Sequence, residues 1–227
     1  AFLTQGAVQV LSDAECDAVI EAAEEAAARR GGWTTARHYA VPTTDLPVHE
    51  EPALLRWFRS LMRERLGPLL EKQWGKECVG EGGKACQTFD AFIVKYEAST
   101  GQRHLPVHRD QSTHSFTIAL NPPEAYSGGG TYICELGESL TPAKGHLLSF
   151  EGALLHGGDP VTRGTRYIAV AFCYAEPFAA AQQQSMKTEE PPRKRARAPD
   201  FRGEETLADV FAAADAPGGG ASFSFSF

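Results

Sequence analysis

The chain has 227 residues, 42% hydrophobic and 22% charged, and its 22 Lys+Arg against 29 Asp+Glu give a net charge of −7. That composition excludes a wholly disordered chain. The absence of any apolar run near ~18 residues excludes a membrane-spanning helix, and the acidic excess argues against a surface given over to nucleic acid.

The first predicted element is a helix. Ser12 and Glu15 form an S-x-x-E capping box ahead of an Ala/Glu run that reaches Arg30, where Gly31 and Gly32 end it. A second helix is predicted to start near Glu51, with Pro52 in its first turn. Leu54, Leu55, Phe58, Leu61, Met62 and Leu66 recur at three- and four-residue steps, which is one apolar stripe, and Gly67-Pro68 is expected to kink it. Both helices read as scaffold. The stretch between them, from Trp33 to Tyr39, is polar and aromatic. It reads as a packed connection or as a flap over a site mouth.

From Thr88 the texture turns to β-formers. Strands are predicted over residues 88–96, 114–120, 131–135, 146–150 and 166–174. Turn clusters separate them at Asn121-Pro122-Pro123, Ser127-Gly128-Gly129-Gly130 and Gly157-Gly158-Asp159-Pro160. Short strands with such punctuation indicate a sandwich or barrel, and helices placed before them indicate an α+β, mainly β fold with helices on one side of a double sheet.

After residue 178 the composition changes again. Residues 179–227 read as a low-complexity linker and tail. Arg193, Lys194, Arg195 and Arg197 stand among prolines, a short helix is expected over 205–214, and the end carries Phe223, Phe225 and Phe227. The tail holds six basic and seven acidic residues, so the acidity belongs mostly to the body. The basic cluster at 193–197 reads as a nuclear localisation signal or a solvated linker. The domain expected is therefore 1–178, with helical support over 1–75 and a β core over about 86–178. The five cysteines, Cys16, Cys78, Cys86, Cys134 and Cys173, include no CxxC pair and read as reduced thiols. With no signal-peptide pattern, a nuclear or cytoplasmic location is expected, although a chain starting at Ala1 leaves room for a removed leader.

His108 and Asp110 stand two apart, a spacing that in a strand puts both on one face. His156 follows the apolar stretch 147–155 and precedes a Gly-Gly turn expected to leave its side chain accessible. Two histidines and a carboxylate on one face of a metal leave positions open, as in non-haem Fe(II) oxygenases. His, Asp and His alone do not separate iron from zinc. Arg166, ten residues after His156, adds a guanidinium suited to gripping a carboxylate such as that of 2-oxoglutarate.

The blocks His108-x-Asp110-x-Ser112-Thr113, Ile118-Ala119-Leu120-Asn121, Tyr126-x-Gly128-Gly129-Gly130, His156 and Gly164-Thr165-Arg166-Tyr167-Ile168 carry a resemblance. The stretch from Phe92 to Pro177 resembles the catalytic domain of procollagen lysyl hydroxylases and the wider prolyl 4-hydroxylase-like Fe(II)/2-oxoglutarate dioxygenases. The resemblance implies a distorted double-stranded β-helix, or jelly roll. It implies His108, Asp110 and His156 as iron ligands, Arg166 on the 2-oxoglutarate carboxylate, and Tyr96 donating to that carboxylate. O₂ and, in some relatives, ascorbate complete the implied chemistry, and a prolyl or lysyl side chain in a protein or peptide is the implied substrate. Leu105 stands where prolyl hydroxylases carry a tyrosine, as in the lysyl enzymes. Ala119 replaces another family tyrosine, and the large N-terminal glycosyltransferase-like domains of lysyl hydroxylases are not expected within these 227 residues. Other readings are the same chemistry on a nucleobase or small metabolite, or a non-catalytic binding module.

His38, His49, His104, His114 and His146 read as solvated or structural, with His104 and His114 near enough to the motif to touch substrate. Asp159 reads as a turn residue, with a role orienting His156 as the alternative. Arg163 is the rival of Arg166. Ser115 and Thr117 read as ordinary strand residues, with lining the pocket as the alternative.

Overall fold

The structure is a computed structural model, and it describes residues 8–35, 37, 43–99 and 102–175. His38, Tyr39, the basic cluster at 193–197, the Phe-rich end and the short helix expected at 205–214 lie outside the described residues.

The chain enters through a short strand, β1 (Val8–Gln9), and passes into α1 (Asp13–Arg29). The capping box forms as predicted: the Ser12 side chain accepts from the Glu15 N–H, and Glu15 reaches back to the Ser12 N–H at 2.8 Å. Strand β2 (Asp45–Pro47) and one 3₁₀ turn lead to α2 (Pro52–Leu61). A single π turn, Met62–Leu66, joins α2 to α3 (Gly67–Trp74), and the Gly67 N–H bonds to the Met62 carbonyl five residues back. The interruption expected at Gly67-Pro68 is thus a π turn ahead of it. Pro68 has no N–H to offer the ladder, and the wider turn absorbs that loss. Gly67 also admits a close backbone approach, because a Cβ there would stand 2.3 Å from the Gly82 carbonyl oxygen. A four-residue helix, α4 (Lys76–Val79), ends the helical part.

Nine strands follow: β3 (Cys86–Glu97), β4 (Leu105–His108), β5 (His114–Ala119), β6 (Tyr126–Gly128), β7 (Thr131–Ile133), β8 (Glu138–Leu140), β9 (His146–Glu151), β10 (His156–Gly158) and β11 (Val161–Ala175). They build two antiparallel sheets. The larger runs β1-β9-β5-β11-β3-β2, with β6 also paired to β11; the smaller runs β4-β10-β7-β8. This is the predicted helix-buttressed double sheet. The short strands β1, β2, β4, β6, β8 and β10 are not legible in the sequence, since two to four residues are too few for alternation to show. The Gly157-Gly158 pair, expected as a turn, belongs to β10, a strand that pairs with β4 on one side and β7 on the other.

Both faces of the large sheet are covered. On β3, Ala91 and Ile93 face the helices, while Phe92, Val94 and Tyr96 face the other way. On β5, Phe116 and Ile118 join the helical core, and all six of its residues are buried. Phe58 of α2 stacks on Phe116 with ring centroids 6.5 Å apart. Glu24 ties α1 to the sheet: it accepts from Lys95 at 2.8 Å, from Trp33 Nε1 at 3.0 Å and from the Tyr167 hydroxyl. The helices therefore fill the outer face of the large sheet and leave its inner face to the small sheet and the space between. Among the described residues no helix is long and apolar enough to cross a membrane.

Candidate active site

His108 is the last residue of β4 and His156 the first of β10. The two strands are antiparallel neighbours in which His156 and His108 are register partners. Cross-strand partners project to one face, and the two imidazole centroids lie 4.4 Å apart. Asp110 arrives differently from the expectation. It lies beyond the end of β4, in a turn held by its own N–H donating to the Gly152 carbonyl at 2.8 Å. The turn, and not strand alternation, folds the carboxylate back between the rings. Asp110 Oδ1 is 3.1 Å from His108 Nε2, and Oδ2 is 3.6 Å from His156 Nε2. One ligand atom from each residue can be chosen so that all lie within 4.8 Å of one another, an arrangement that could hold a metal ion.

The tautomers follow from the backbone. His108 Nδ1 faces the Pro106 carbonyl at 2.8 Å, and His156 Nδ1 faces the Leu154 carbonyl at 2.9 Å. A carbonyl only accepts, so each Nδ1 carries a proton and each Nε2 is the nitrogen that faces Asp110. The group that orients His156 is thus the Leu154 carbonyl, while Asp159 accepts from the Ser139 hydroxyl. His156 is also buried, 7% exposed, where an accessible side chain was expected. Its position inside a three-strand pairing, and not on a turn, is the reason. Burial lowers its pKa to about 4, against the opposing pull of Asp110. Burial pulls the His108 pKa down, but the hydrogen bond its ring donates to the Asp110 carboxylate, the charge of that carboxylate and the bond to the Pro106 carbonyl together outweigh it, and the net shift is upward. Burial would raise the Asp110 pKa; the charge of His156 and the bonds from His108 and Ser115 reverse that and hold it low. Two imidazole Nε2 atoms and an ionised carboxylate converging at one point, with the outer Nδ1 hydrogen bonds made, fit a divalent metal of the iron or zinc kind.

Arg166 stands well inside β11, not at its start, and is 3% exposed. Its register partner on β3 is Tyr96, and the guanidinium carbon lies 5.7 Å from the centre of the Tyr96 ring. The guanidinium donates to the Gly130 carbonyl at 3.2 Å and to Thr131 Oγ1 at 3.3 Å. Among the described residues no carboxylate pairs with it. The Gly128-Gly129-Gly130 run has its reason here. Gly129 sits at φ +71°, and a Cβ on it would stand 3.3 Å from Arg166 Cδ. Tyr96 is 3% exposed, and burial pushes its phenol up to about 12, so it stays a donor at ordinary pH. Arg163, the rival, is exposed.

One cavity of about 590 Å³ collects His108, Asp110, His156, Arg166 and Tyr96. Its walls include Phe92, Val94, Ile168, Val170 and Phe172 from the inner face of the large sheet. Ser115 and Thr117 line it too, contrary to the reading of them as ordinary strand residues, because β5 turns its odd positions inward there. At the mouth, Arg37 makes two bonds to Asp90, at 3.0 and 2.7 Å, and one to Asp45 at 2.7 Å. Arg37 lines the cavity, while Trp33 packs on Tyr167. The segment before α2 is therefore partly mouth and partly packing. His114 lies apart, edge-on to Trp74 in the helical core, and His104 is not among the lining residues. Asp90 and the inward phenylalanines were not singled out in the sequence. Period-two counting back from Tyr96 along β3 leads to Val94, Phe92 and Asp90; nothing local pairs Asp90 with Arg37, 53 residues away.

No family model matches the chain. A curated relative, procollagen-lysine,2-oxoglutarate 5-dioxygenase 1 of Rattus norvegicus, is 33% identical over 177 residues, which is 72% of this chain and 23% of the relative. The chain thus spans about a quarter of the length of the curated relatives it matches. Among solved structures, a viral collagen prolyl hydroxylase from Paramecium Bursaria Chlorella virus-1 aligns with a TM-score of 0.52 at 21% identity, covering 74% of this chain and 94% of the other. An oxidoreductase of the 2OG-Fe(II) oxygenase family from Burkholderia pseudomallei aligns with a TM-score of 0.54 at 17% identity, covering 74% and 81%. These likenesses give the two sheets their fold, the double-stranded β-helix of the 2OG-Fe(II) oxygenases. By sequence homology to the procollagen-lysine dioxygenases and by fold, the chain belongs to the 2-oxoglutarate-dependent dioxygenases of the lysyl and prolyl hydroxylase type.

Proposed function

We propose that the chain is an Fe(II)- and 2-oxoglutarate-dependent hydroxylase acting on a prolyl or lysyl side chain of a protein or peptide. The observation that carries this reading is the sharing of one cavity by a His-Asp-His group and a buried arginine with no carboxylate partner among the described residues. His108, Asp110 and His156 would hold the iron, through Nε2, a carboxylate oxygen and Nε2. Bound together, iron(II) and 2-oxoglutarate supply the oxidising power that puts an oxygen atom of O₂ into a C–H bond, leaving succinate and CO₂.

The protein's own task is placement. Arg166 receives the far carboxylate of 2-oxoglutarate. A buried guanidinium is costly without an anion, so the co-substrate meets a pre-formed and unsatisfied partner. Tyr96 donates its phenolic proton to the same carboxylate, since its raised pKa keeps it protonated. The Pro106 and Leu154 carbonyls keep both imidazoles in the tautomer that presents Nε2. Phe92, Phe150, Ile168, Val170 and Phe172 keep water from the reacting carbon. Ascorbate is proposed as an accessory reductant. The peptide substrate is suggested by the relatives, one named for procollagen lysine and another solved with a hypoxia inducible factor peptide fragment.

The test is addition of iron(II) and 2-oxoglutarate under argon, followed by a succinate-release assay in air against mixed prolyl and lysyl peptide libraries, with mass spectrometry of the product. A metal-to-co-substrate absorption band and a 16 Da gain on peptide are expected. No band, or succinate with no peptide gaining oxygen, would refute the iron chemistry or the substrate class respectively.

A further inference from the structure

Beside the catalytic cavity lies a second cleft of about 670 Å³ between α2 and the beginning of β3. Its floor is apolar, with Leu55, Phe58 and Met62. Its rim is basic. Arg59, Arg63 and Lys84 all line it and all are exposed. Among the described residues Arg59 and Lys84 have no ion-pair partner, and Arg63 has only a solvent-exposed contact with Glu64 at 2.8 Å. Such a contact holds an arginine weakly. The one carboxylate in the lining, Asp90, is already engaged by Arg37. The cleft is therefore a positive feature on a chain of net charge −7.

The two cavities meet. Phe89 and Asp90 line both. The β3–β11 register explains the meeting: Phe172 pairs with Asp90 and Cys173 with Thr88, so Phe89 is the extra residue of a bulge. A bulge reverses which side chains face which side. Cys86 and Ala91 both face the helical core across it, and Phe89 is pushed out onto the ridge between the cavities. Phe89 is 55% exposed and packs its ring 5.9 Å from that of Phe172, a wall of the catalytic cavity. A large exposed aromatic ring joining two cavities is what a chain crossing from one to the other would cover.

We propose that this cleft is a second substrate subsite, which takes an acidic segment of the polypeptide whose reacting side chain enters the catalytic cavity. The inference rests on the hydroxylase reading above and extends it to specificity. The occupant crosses Phe89 in extended form, and its Asp or Glu side chains reach Arg59, Arg63 and Lys84. A polypeptide fits better than nucleic acid. The rim offers one exposed ring, Phe89, and not the row of rings on which single-stranded bases stack.

The experiment uses the full chain with iron(II) and 2-oxoglutarate under argon. The probes are fluorescein-labelled peptides with one lysine or proline and a glutamate triplet at increasing spacing on either side. The same peptides with glutamine, and a mixed-sequence single-stranded oligonucleotide, serve as comparisons. Anisotropy reads binding without turnover. At one spacing the glutamate peptide should bind about tenfold tighter than its glutamine partner, equivalent to about 1.4 kcal/mol. The preference should fall at about 0.5 M salt and vanish in the R59E/R63E/K84E variant. Lys84→Gln alone, a milder change at an exposed site, should reduce it about two- to threefold. Equal affinities at every spacing, or a preference that survives charge reversal, would overturn the proposal. Tighter binding of the oligonucleotide, lost on charge reversal, would overturn it in favour of nucleic acid. A failed hydroxylase reading shows separately, as no absorption band when iron(II) and 2-oxoglutarate are combined.

Discussion

Replacing Arg166 by methionine separates what the arginine does for the co-substrate from what it does for the fold. The guanidinium is 3% exposed, bonds only at 3.2 and 3.3 Å, and has no carboxylate partner among the described residues. Methionine keeps much of the volume and removes the charge. For 2-oxoglutarate the loss is a buried, hydrogen-bonded charge pair, which costs about 2–5 kcal/mol when one partner is deleted. That is a fall in affinity of roughly 30- to 5,000-fold. The apoprotein should behave in the opposite sense. Exchanging a buried charge for an apolar side chain of similar volume is often neutral or stabilising by about 1–4 kcal/mol. The assays are calorimetric titration of 2-oxoglutarate into the iron(II)-loaded protein under argon, and urea unfolding of the apoprotein. The reasoning fails if 2-oxoglutarate affinity is unchanged, which would move the anion to Arg163 or to another pocket. It also fails if the apoprotein loses more than about 2 kcal/mol. That loss would mean Gly130 and Thr131 already compensate the charge.

Three further outcomes test other links. Asp110→Ala removes the carboxylate between the two imidazoles, so iron(II) affinity and succinate formation should both disappear, while unfolding by urea changes little; retained metal binding would refute the ligand assignment. Gly129→Ala puts a Cβ 3.3 Å from Arg166 Cδ on a residue at φ +71°, and should cost about 1–2 kcal/mol of stability and weaken 2-oxoglutarate binding, as read by the same titration. The bond from Arg65, helped by the cap at Ser12, holds the Glu15 carboxyl down to about 2, below its ordinary 4.5. A depressed carboxyl contributes stability above its unfolded pKa and loses it as pH falls toward the folded one. Urea midpoints at about pH 5 and about pH 3 should therefore converge in Glu15→Gln relative to the unsubstituted chain, and identical pH dependence would refute the assignment.

Local chemistry made α1 and α2 legible. A capping box, a run of helix formers and a stripe at three- and four-residue steps each act within a turn or two, so Asp13–Arg29 and Pro52–Leu61 fall close to where they were predicted. The longer strands were legible for the same reason. The short ones were not: β4 and β10 exist because their neighbours pair with them, and His156-Gly157-Gly158 taken alone reads as a turn. The candidate site was legible as a set of residue types and spacings, but not as a geometry. The fold brings His108, Asp110 and His156 together, yet strand alternation is not what places Asp110. A turn anchored on Gly152 brings it in, and no i, i+2 rule encodes an interaction 42 residues distant.

The sequence by itself determined α1, α2, the longer strands and the residue types that meet at the candidate site, because those depend on neighbours along the chain and on side-chain chemistry. Only the tertiary structure decided that His156 is buried, that Tyr96 lies under Arg166, and that Arg37 closes on Asp90. Only it decided that a bulge at Phe89 joins the catalytic cavity to a basic cleft. Each of those facts is a matter of register between strands or of contact between distant segments. Register is set by the burial of whole sheet faces, and that is a property of the assembled fold.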